Sequence, residues 1–245
     1  MYRPHKLHGR RVGLALSGGS VRGIAHIGVL KALNEYGIRP VAIAGTSAGS
    51  LVGAGVAAGK SWQELADMAH KIFWPSMLNG RYLERFCSIY LPASFGELQL
   101  PFAAVATTLP GKKPVTLTTG RLASAINASC AVRARRPVYR DGEKLKDGGI
   151  SCVLPSLACR ELGADFIIAS DVWELSALLR GVGLNHTHPR AHRAYPRHFI
   201  HAVSNSDLLI QTDVPFGGYW PGSAAVERLI AAGEAATHKA LARLQ

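Results

Sequence analysis

Gly45-Thr46-Ser47-Ala48-Gly49 closes the apolar run Val41-Ala42-Ile43-Ala44 and opens the small-residue run Ser50-Leu51-Val52-Gly53-Ala54-Gly55. Strand, sharp turn with a central serine, then helix is the layout of a nucleophile elbow. A serine on so tight a turn sits in strained backbone. Its neighbours must be small, which fits Gly45 two residues before it and Gly49 two after. The helix that follows points its N-terminal amides at the serine and favours negative charge developing there. A Gly-x-Ser-x-Gly pentapeptide is common in Gly- and Ala-rich sequence, so its meaning depends on its surroundings.

Upstream, Val12-Gly13-Leu14-Ala15-Leu16 is short, apolar and followed by glycines, which predicts a buried strand. Ser17-Gly18-Gly19-Ser20-Val21-Arg22-Gly23 comes next, then a helical face of Ile24, Ile27, Leu30 and Leu33 ending near Gly37. A Gly-rich loop at a helix N-terminus offers its amides to an anion. A dinucleotide pyrophosphate is one candidate, because Gly18-x-Ser20-x-x-Gly23 approximates that fingerprint. That fold wants an acid after the next strand, where Ala42-Ile43-Ala44-Gly45 has none. The other candidate is the oxyanion of an acyl-transfer reaction.

Downstream, Gly59-Lys60-Ser61 ends a near-miss phosphate loop, but Ser61-Trp62-Gln63-Glu64 reads better as a capping box opening a helix through Leu65, Met68 and Ile72. Phe73 to Gly96 is expected as helix and loop, with Trp74, Pro75, Met77 and Leu78 able to line a substrate cleft but expected to fill the core. Phe102–Thr107 and Pro114–Thr118 are expected as strands joined at Pro110-Gly111, and Arg121–Val132 as a helix. Asp147-Gly148-Gly149 reads locally as a surface turn. Pro155–Leu162 is expected as a helix, Ala164–Ser170 and Leu208–Thr212 as strands, and Ser223–Leu244 as an amphipathic helix. His186, His188, His192, His198 and His201 lack regular helical spacing and a carboxylate or thiolate partner, so a solvated basic loop is expected over 180–205.

The chain of 245 residues is 48% hydrophobic and 18% charged, which fits one globular domain. Its core is expected over about 11–172, followed by the basic loop and the C-terminal helix. The formal net charge of +12 suits anionic partners. Zinc-finger spacing and aromatic–basic RNA signatures are missing, so an anionic membrane surface is favoured over nucleic acid. Cys87, Cys130, Cys152 and Cys159 are scattered, as in a reduced compartment. The N-terminus is basic without the apolar stretch of a signal peptide, and Pro40–Gly59 is too rich in Gly, Ala and Ser for a membrane span. A cytoplasmic protein with peripheral membrane contact is expected.

Three motifs stand in order: Gly18-Gly19-Ser20-Val21-Arg22-Gly23, Gly45-Thr46-Ser47-Ala48-Gly49 and Asp147-Gly148-Gly149. With Arg22-Gly23-Ile24-Ala25-His26-Ile27-Gly28-Val29-Leu30 and Leu229-Ile230-Ala231-Ala232-Gly233-Glu234-Ala235-Ala236, they resemble the patatin-like phospholipase family over nearly the whole chain. The resemblance implies an α/β chain with a three-layer α/β/α fold and a mostly parallel central sheet. It implies a Ser–Asp dyad without a catalytic histidine, Ser47 as nucleophile and Asp147 as base. It further implies an oxyanion site at Gly18, Gly19 and Ser20, with Arg22 shaping that loop. Gly23, Gly45, Gly49, Gly148 and Gly149 support the three motifs, and His26 is structural. No cofactor and no metal are implied. Substrates would be phospholipid, lysophospholipid or other esters.

The chain departs from the family pattern near this site. Ser20 stands where a third glycine is usual, and a serine there is strained if φ must be positive. Arg133-Ala134-Arg135-Arg136 replaces a Pro-Gly pair and an aromatic. Ile150-Ser151-Cys152-Val153-Leu154-Pro155 lacks the usual Asn before a Pro, and Thr107-Thr108-Leu109 replaces Thr-Asp-Leu. The arginines suit either an anionic head group or plain surface. Two competing functions remain. One is a non-catalytic lipid- or membrane-binding member of the fold. The other is a Ser-Asp-His α/β-hydrolase esterase drawing on His201 or His238.

Overall fold

The computed structural model describes residues 4–214 and 222–244, so Met1-Tyr2-Arg3 of the basic N-terminal stretch lies outside the described residues. The chain runs β1 (Val12–Leu16), α1 (Ala25–Glu35), β2 (Ala42–Thr46), α2 (Ala48–Ala57), α3 (Trp62–Lys71) and α4 (Gly80–Tyr90). It continues with β3 (Phe102–Leu109), β4 (Pro114–Leu117), α5 (Leu122–Ser129), β5 (Val138–Arg140), β6 (Glu143–Asp147) and α6 (Ser156–Glu161). The last elements are β7 (Phe166–Asp171), α7 (Glu174–Gly181), α8 (Ala191–Ala194), α9 (Arg197–Ser204), β8 (Leu208–Gln211) and α10 (Ser223–Leu241).

One sheet takes the order β5-β6-β3-β2-β1-β7-β8, with β4 pairing β3. Strands β3, β2, β1, β7 and β8 are parallel, while β4, β5 and β6 form antiparallel pairs at one side. Both faces of the parallel strands are buried, so they are apolar at nearly every position. Large and small residues alternate. Leu14, Leu16, Ile43 and Phe102 join α1, α2, α3, α4, α5 and α10 in one core. Ala15, Ala42, Ala44 and Ala103 face the other way, onto α6 and α9. The small residues on that face are dictated by proximity. A Cβ on Gly13 would lie 2.6 Å from Ala164 Cβ and 2.7 Å from Cys159 Sγ. The three-layer α/β/α expectation therefore holds.

Local signals locate several boundaries. Ser61 accepts the Glu64 amide while Glu64 accepts the Ser61 amide, so this stretch is a capping box and opens α3. Gly37, at φ +66°, ends α1 in the left-handed conformation.

Two expectations need correction. The segment 180–205 is a solvated loop only in part: residues 182–190 are turns and largely exposed, but α8 and α9 follow. Ala191 of α8, Tyr195 just after it, and Phe199 and Ala202 of α9 are buried, and Phe199 stacks on Tyr195 with centroids 5.0 Å apart and meets Trp173 at 5.4 Å. Interspersed histidines and arginines masked those buried positions. Asp147-Gly148-Gly149 is also more than a surface turn. Asp147 is buried and ends the hairpin β5–β6, which turns at Asp141-Gly142, where both residues have positive φ.

Candidate active site

Register brings the two key side chains together. Strand β2 ends at Thr46 opposite Val105 of β3, and β6 arrives from the other direction to end at Asp147 opposite Ala106. The two ends therefore flank adjacent residues of one strand, roughly two strand spacings (~10 Å) apart. Two side chains reaching inward close that gap: Ser47 Oγ donates to Asp147 Oδ2 at 2.8 Å.

Ser47 has φ 52° and ψ −122°, a conformation that costs a non-glycine residue on the order of 1 kcal/mol. Three features hold it there. Its amide donates to Ser129 Oγ at 2.8 Å, and Ser129 in turn donates to the Val105 carbonyl at 2.6 Å. Its carbonyl accepts from the amide and the hydroxyl of Ser50. Gly45 and Gly49 let the backbone fold tightly: a Cβ on Gly45 would fall 2.3 Å from Gly49 O, and one on Gly49 would fall 2.3 Å from Leu16 O. Nothing in the sequence singles out Ser129, which touches the elbow only through the fold.

Asp147 is 7% exposed. Burial pushes its carboxyl above the ordinary carboxylate range, and the Gly149 amide, the Ser47 hydroxyl, Arg135 and Lys146 pull it back. Gly149 donates to Oδ1 at 2.8 Å, leaving Oδ2 for the serine. Thr107 Oγ1 holds the Asp147 carbonyl at 2.8 Å. Gly148 has no room for a side chain, since its Cβ would sit 2.1 Å from Val105 O.

The Gly-rich loop borders the same space. Gly18, Gly19, Ser20, Arg22 and Gly23 line one cavity with Ser47 and Asp147. The Gly18 amide is already engaged, donating to Val153 O at 2.9 Å. Among the described residues, the amides of Gly19 and Ser20 have no protein acceptor. Ser20 adopts φ 53°, so the missing third glycine is replaced at the expense of strain. Arg22 pairs with Glu174 at 3.1 Å and ties the loop to α7.

The basic departure near Asp147 is largely structural. Arg135 donates to the carbonyl of Cys130 and to Asn127 Oδ1. Lys146 Nζ donates to the carbonyls of Val132, Arg133 and Arg135 at 2.9, 3.2 and 2.6 Å. That ammonium gathers the loop around itself, while Arg133 and Arg136 remain exposed.

The histidines stand apart from the pair. His26 is fully buried, with Nε2 on the Ser17 carbonyl at 2.9 Å and Nδ1 on Ser170 Oγ at 2.8 Å. Nε2 must carry the proton, so Nδ1 accepts from the serine hydroxyl. Burial lowers its pKa to about 4. His201 bonds to Asn205, and His238 lies 3.4 Å from Glu35. The five histidines of 180–205 gather no metal-ligand group among the described residues. Glu35, Glu234 and His238 do lie close together. Lys31 Nζ sits 2.9 Å from each Glu234 oxygen, so an ammonium already answers that charge.

The cavity is about 540 Å³ and predominantly apolar. Ile24, Ile27, Leu65, Met68, Phe86 and Leu229 are among its walls. Trp74, Met77 and Leu78 also line it, although Trp74 and Met77 pack against the main core as well, so the cleft alternative applies to these three. Polar groups gather at the Ser47 end. Walls of this kind suit an apolar ligand with a polar group at one end.

The family model described as Patatin-like phospholipase matches residues 14–157. An uncharacterized NTE family protein of Mycobacterium bovis is 37% identical over 180 residues, covering 65% of this chain and 48% of that protein. Patatin-like phospholipase domain-containing protein 6 of Homo sapiens is 31% identical over 186 residues, covering 68% of this chain and 14% of that protein. The matched part is thus about half of the mycobacterial relative and a small fraction of the human one. Among solved structures, VipD from Legionella pneumophila has a TM-score of 0.69 at 15% identity, over 96% of this chain and 67% of that chain. Human GIVD cytosolic phospholipase A2 has a TM-score of 0.54 at 13% identity, over 96% and 59%. At such identities the likeness is one of fold.

Proposed function

Because this chain belongs to the patatin-like phospholipase family, we propose that it is a serine lipid acyl hydrolase acting through Ser47 and Asp147. The observation that carries this reading is the direct Ser47–Asp147 hydrogen bond at the polar end of an apolar cavity. Phospholipid, lysophospholipid and simple carboxylic esters are the substrate class.

Ser47 Oγ attacks the ester carbonyl carbon and passes its proton to Asp147 Oδ2. The carbonyl oxygen becomes an oxyanion, with the amides of Gly19 and Ser20 as its donors. Collapse breaks the bond to the alcohol, which leaves with the proton held by Asp147. Water then attacks the acyl-enzyme and gives a proton to the same carboxylate. The fatty acid departs when Ser47 recovers that proton. The elevated affinity of Asp147 for protons suits it to this shuttle, because its ionised form is the less comfortable one in its setting. The chemistry requires no metal and no cofactor.

The test is hydrolysis of p-nitrophenyl esters of increasing chain length by the parent, Ser47→Ala and Asp147→Ala. The parent turns over, Ser47→Ala falls to background, and Asp147→Ala loses roughly 10²–10⁴-fold. An alkyl fluorophosphonate adds its mass to the parent and not to Ser47→Ala. Unchanged turnover in either variant would sink the dyad, and a parent inert on every ester and on phospholipid vesicles would move a lipid-binding role to first place.

A further inference from the structure

The outer wall of the cavity is the segment from Lys71 to Arg85. Phe73 is 62% exposed and Leu78 is 57% exposed, although Trp74, Met77 and Leu78 itself line the cavity. Hydrogen bonds fix this segment. The Phe73 amide donates to the Tyr82 hydroxyl at 2.8 Å, and Asn79 Oδ1 caps α4 through the amides of Arg81 and Tyr82. Two large apolar side chains are thus held in water beside the mouth, an arrangement that marks an interaction surface. Ile150, 40% exposed, stands one residue beyond Gly149, another residue of the cavity wall.

The exposed charges that the segment itself carries are positive. Lys71, Arg81 and Arg85 are exposed, and their side chains enter no hydrogen bond or ion pair among the described residues. The one carboxylate between Lys71 and Tyr90, Glu84, accepts from Asn127 at 2.6 Å instead.

We propose that this lip docks on the surface of an anionic lipid bilayer. Phe73 and Leu78 enter the boundary between head groups and acyl chains, while Lys71, Arg81 and Arg85 meet the anionic head groups. The inference rests on the lipid hydrolase reading and deepens it by naming where substrate enters. An acyl chain leaving the bilayer at the lip reaches apolar walls at once and need not cross water. A bilayer fits better than a protein partner because the segment that bears the apolar pair also bears three exposed cations, and its one carboxylate is taken up by Asn127. Such positive charge matches a surface of phosphates.

The experiment is flotation of the full chain carrying Ser47→Ala, which prevents turnover, with vesicles of phosphatidylcholine alone or mixed with phosphatidylglycerol. Each basic residue near an anionic leaflet strengthens binding roughly fivefold, so binding rises at least roughly tenfold with phosphatidylglycerol. Adding Phe73→Ser lowers it roughly tenfold, and Arg81→Glu with Arg85→Glu removes the preference for the anionic lipid. With Ser47 intact, the same surface variants hydrolyse a short, water-soluble ester at the parental rate, which shows that they fold. A parent that ignores anionic vesicles, or surface variants that bind as the parent does, would overturn the proposal; a lip built for a protein partner gives the first of these results. If the parent cleaves neither a soluble ester nor vesicle phospholipid, the hydrolase reading fails while the flotation result still decides this one.

Discussion

At the residue scale, Asp147 and Ser20 carry opposite lessons about strain. Burial raises the Asp147 pKa, so the folded chain holds a proton there over a range where the unfolded chain has released it. Stability therefore falls as pH rises from the ordinary carboxylate value of 3.8 through the raised one, and the penalty is fully present above it. The proposed reaction needs the ionised form, so the acid limb of kcat/KM is expected above 3.8. Asp147→Asn removes the buried charge. At neutral pH it is expected to melt no lower than the parent while losing at least roughly 10²-fold in activity; a clearly lower Tm would contradict this account. Ser20 at φ 53° has no such role for its side chain. Ser20→Gly is expected to raise stability by about 1 kcal/mol, read from denaturant midpoints, with ester hydrolysis retained because glycine keeps the amide. Loss of activity in that variant would mean that the Ser20 side chain takes part in the site.

At the element scale, the cavity depends on how closely α10 lies on α1. A Cβ on Gly28 would fall 1.8 Å from Ile230 O, and one on Gly233 would fall 1.9 Å from Ala25 O, so the two backbones touch at these glycines. Gly28→Ala must push α10 outward. Overpacking of this kind costs roughly 2–3 kcal/mol. Because Leu229 of α10 lines the cavity, hydrolysis of long-chain esters is expected to fall more than that of short ones. Denaturant midpoints and a chain-length series check both parts; a variant as stable as the parent would show that the crossing can relax. The hairpin β5–β6 matters equally, since it delivers Asp147 to the sheet and Lys146 to the loop before it. Its sequence signal was present in Asp141-Gly142 between Val138-Tyr139-Arg140 and Glu143-Lys144-Leu145, but three basic residues and a short apolar content obscured it.

At the scale of the whole molecule, acid should loosen the fold through His26. Its folded pKa is lowered to about 4 by burial, against an ordinary 6.5. The unfolded chain binds the proton first, so stability is fully present above pH 6.5 and is lost as pH falls toward 4, by about 3 kcal/mol. Asp147 and Asp171, both raised by burial, act in the reverse sense, so the histidine must be isolated by substitution. Thermal melts from pH 7 to 4 are expected to show a shallower decline for His26→Gln, from a lower starting stability; an unchanged slope would place the acid sensitivity elsewhere. No helix of the described residues is long and apolar enough to cross a membrane, which agrees with reading Pro40–Gly59 as β2 and α2. The sequence by itself determined the parallel strands, the elbow at Ser47 and the Gly-rich loop, because runs of apolar and small residues act through near neighbours along the chain. It did not reveal Ser129 beneath the elbow, the engagement of the Gly18 amide by Val153, or the burial of Tyr195 and Phe199 among histidines. It left Trp74, Met77 and Leu78 between cavity wall and core. Those were decided by tertiary structure, since each depends on which distant segment packs against it, and local spacing carries no record of that partner.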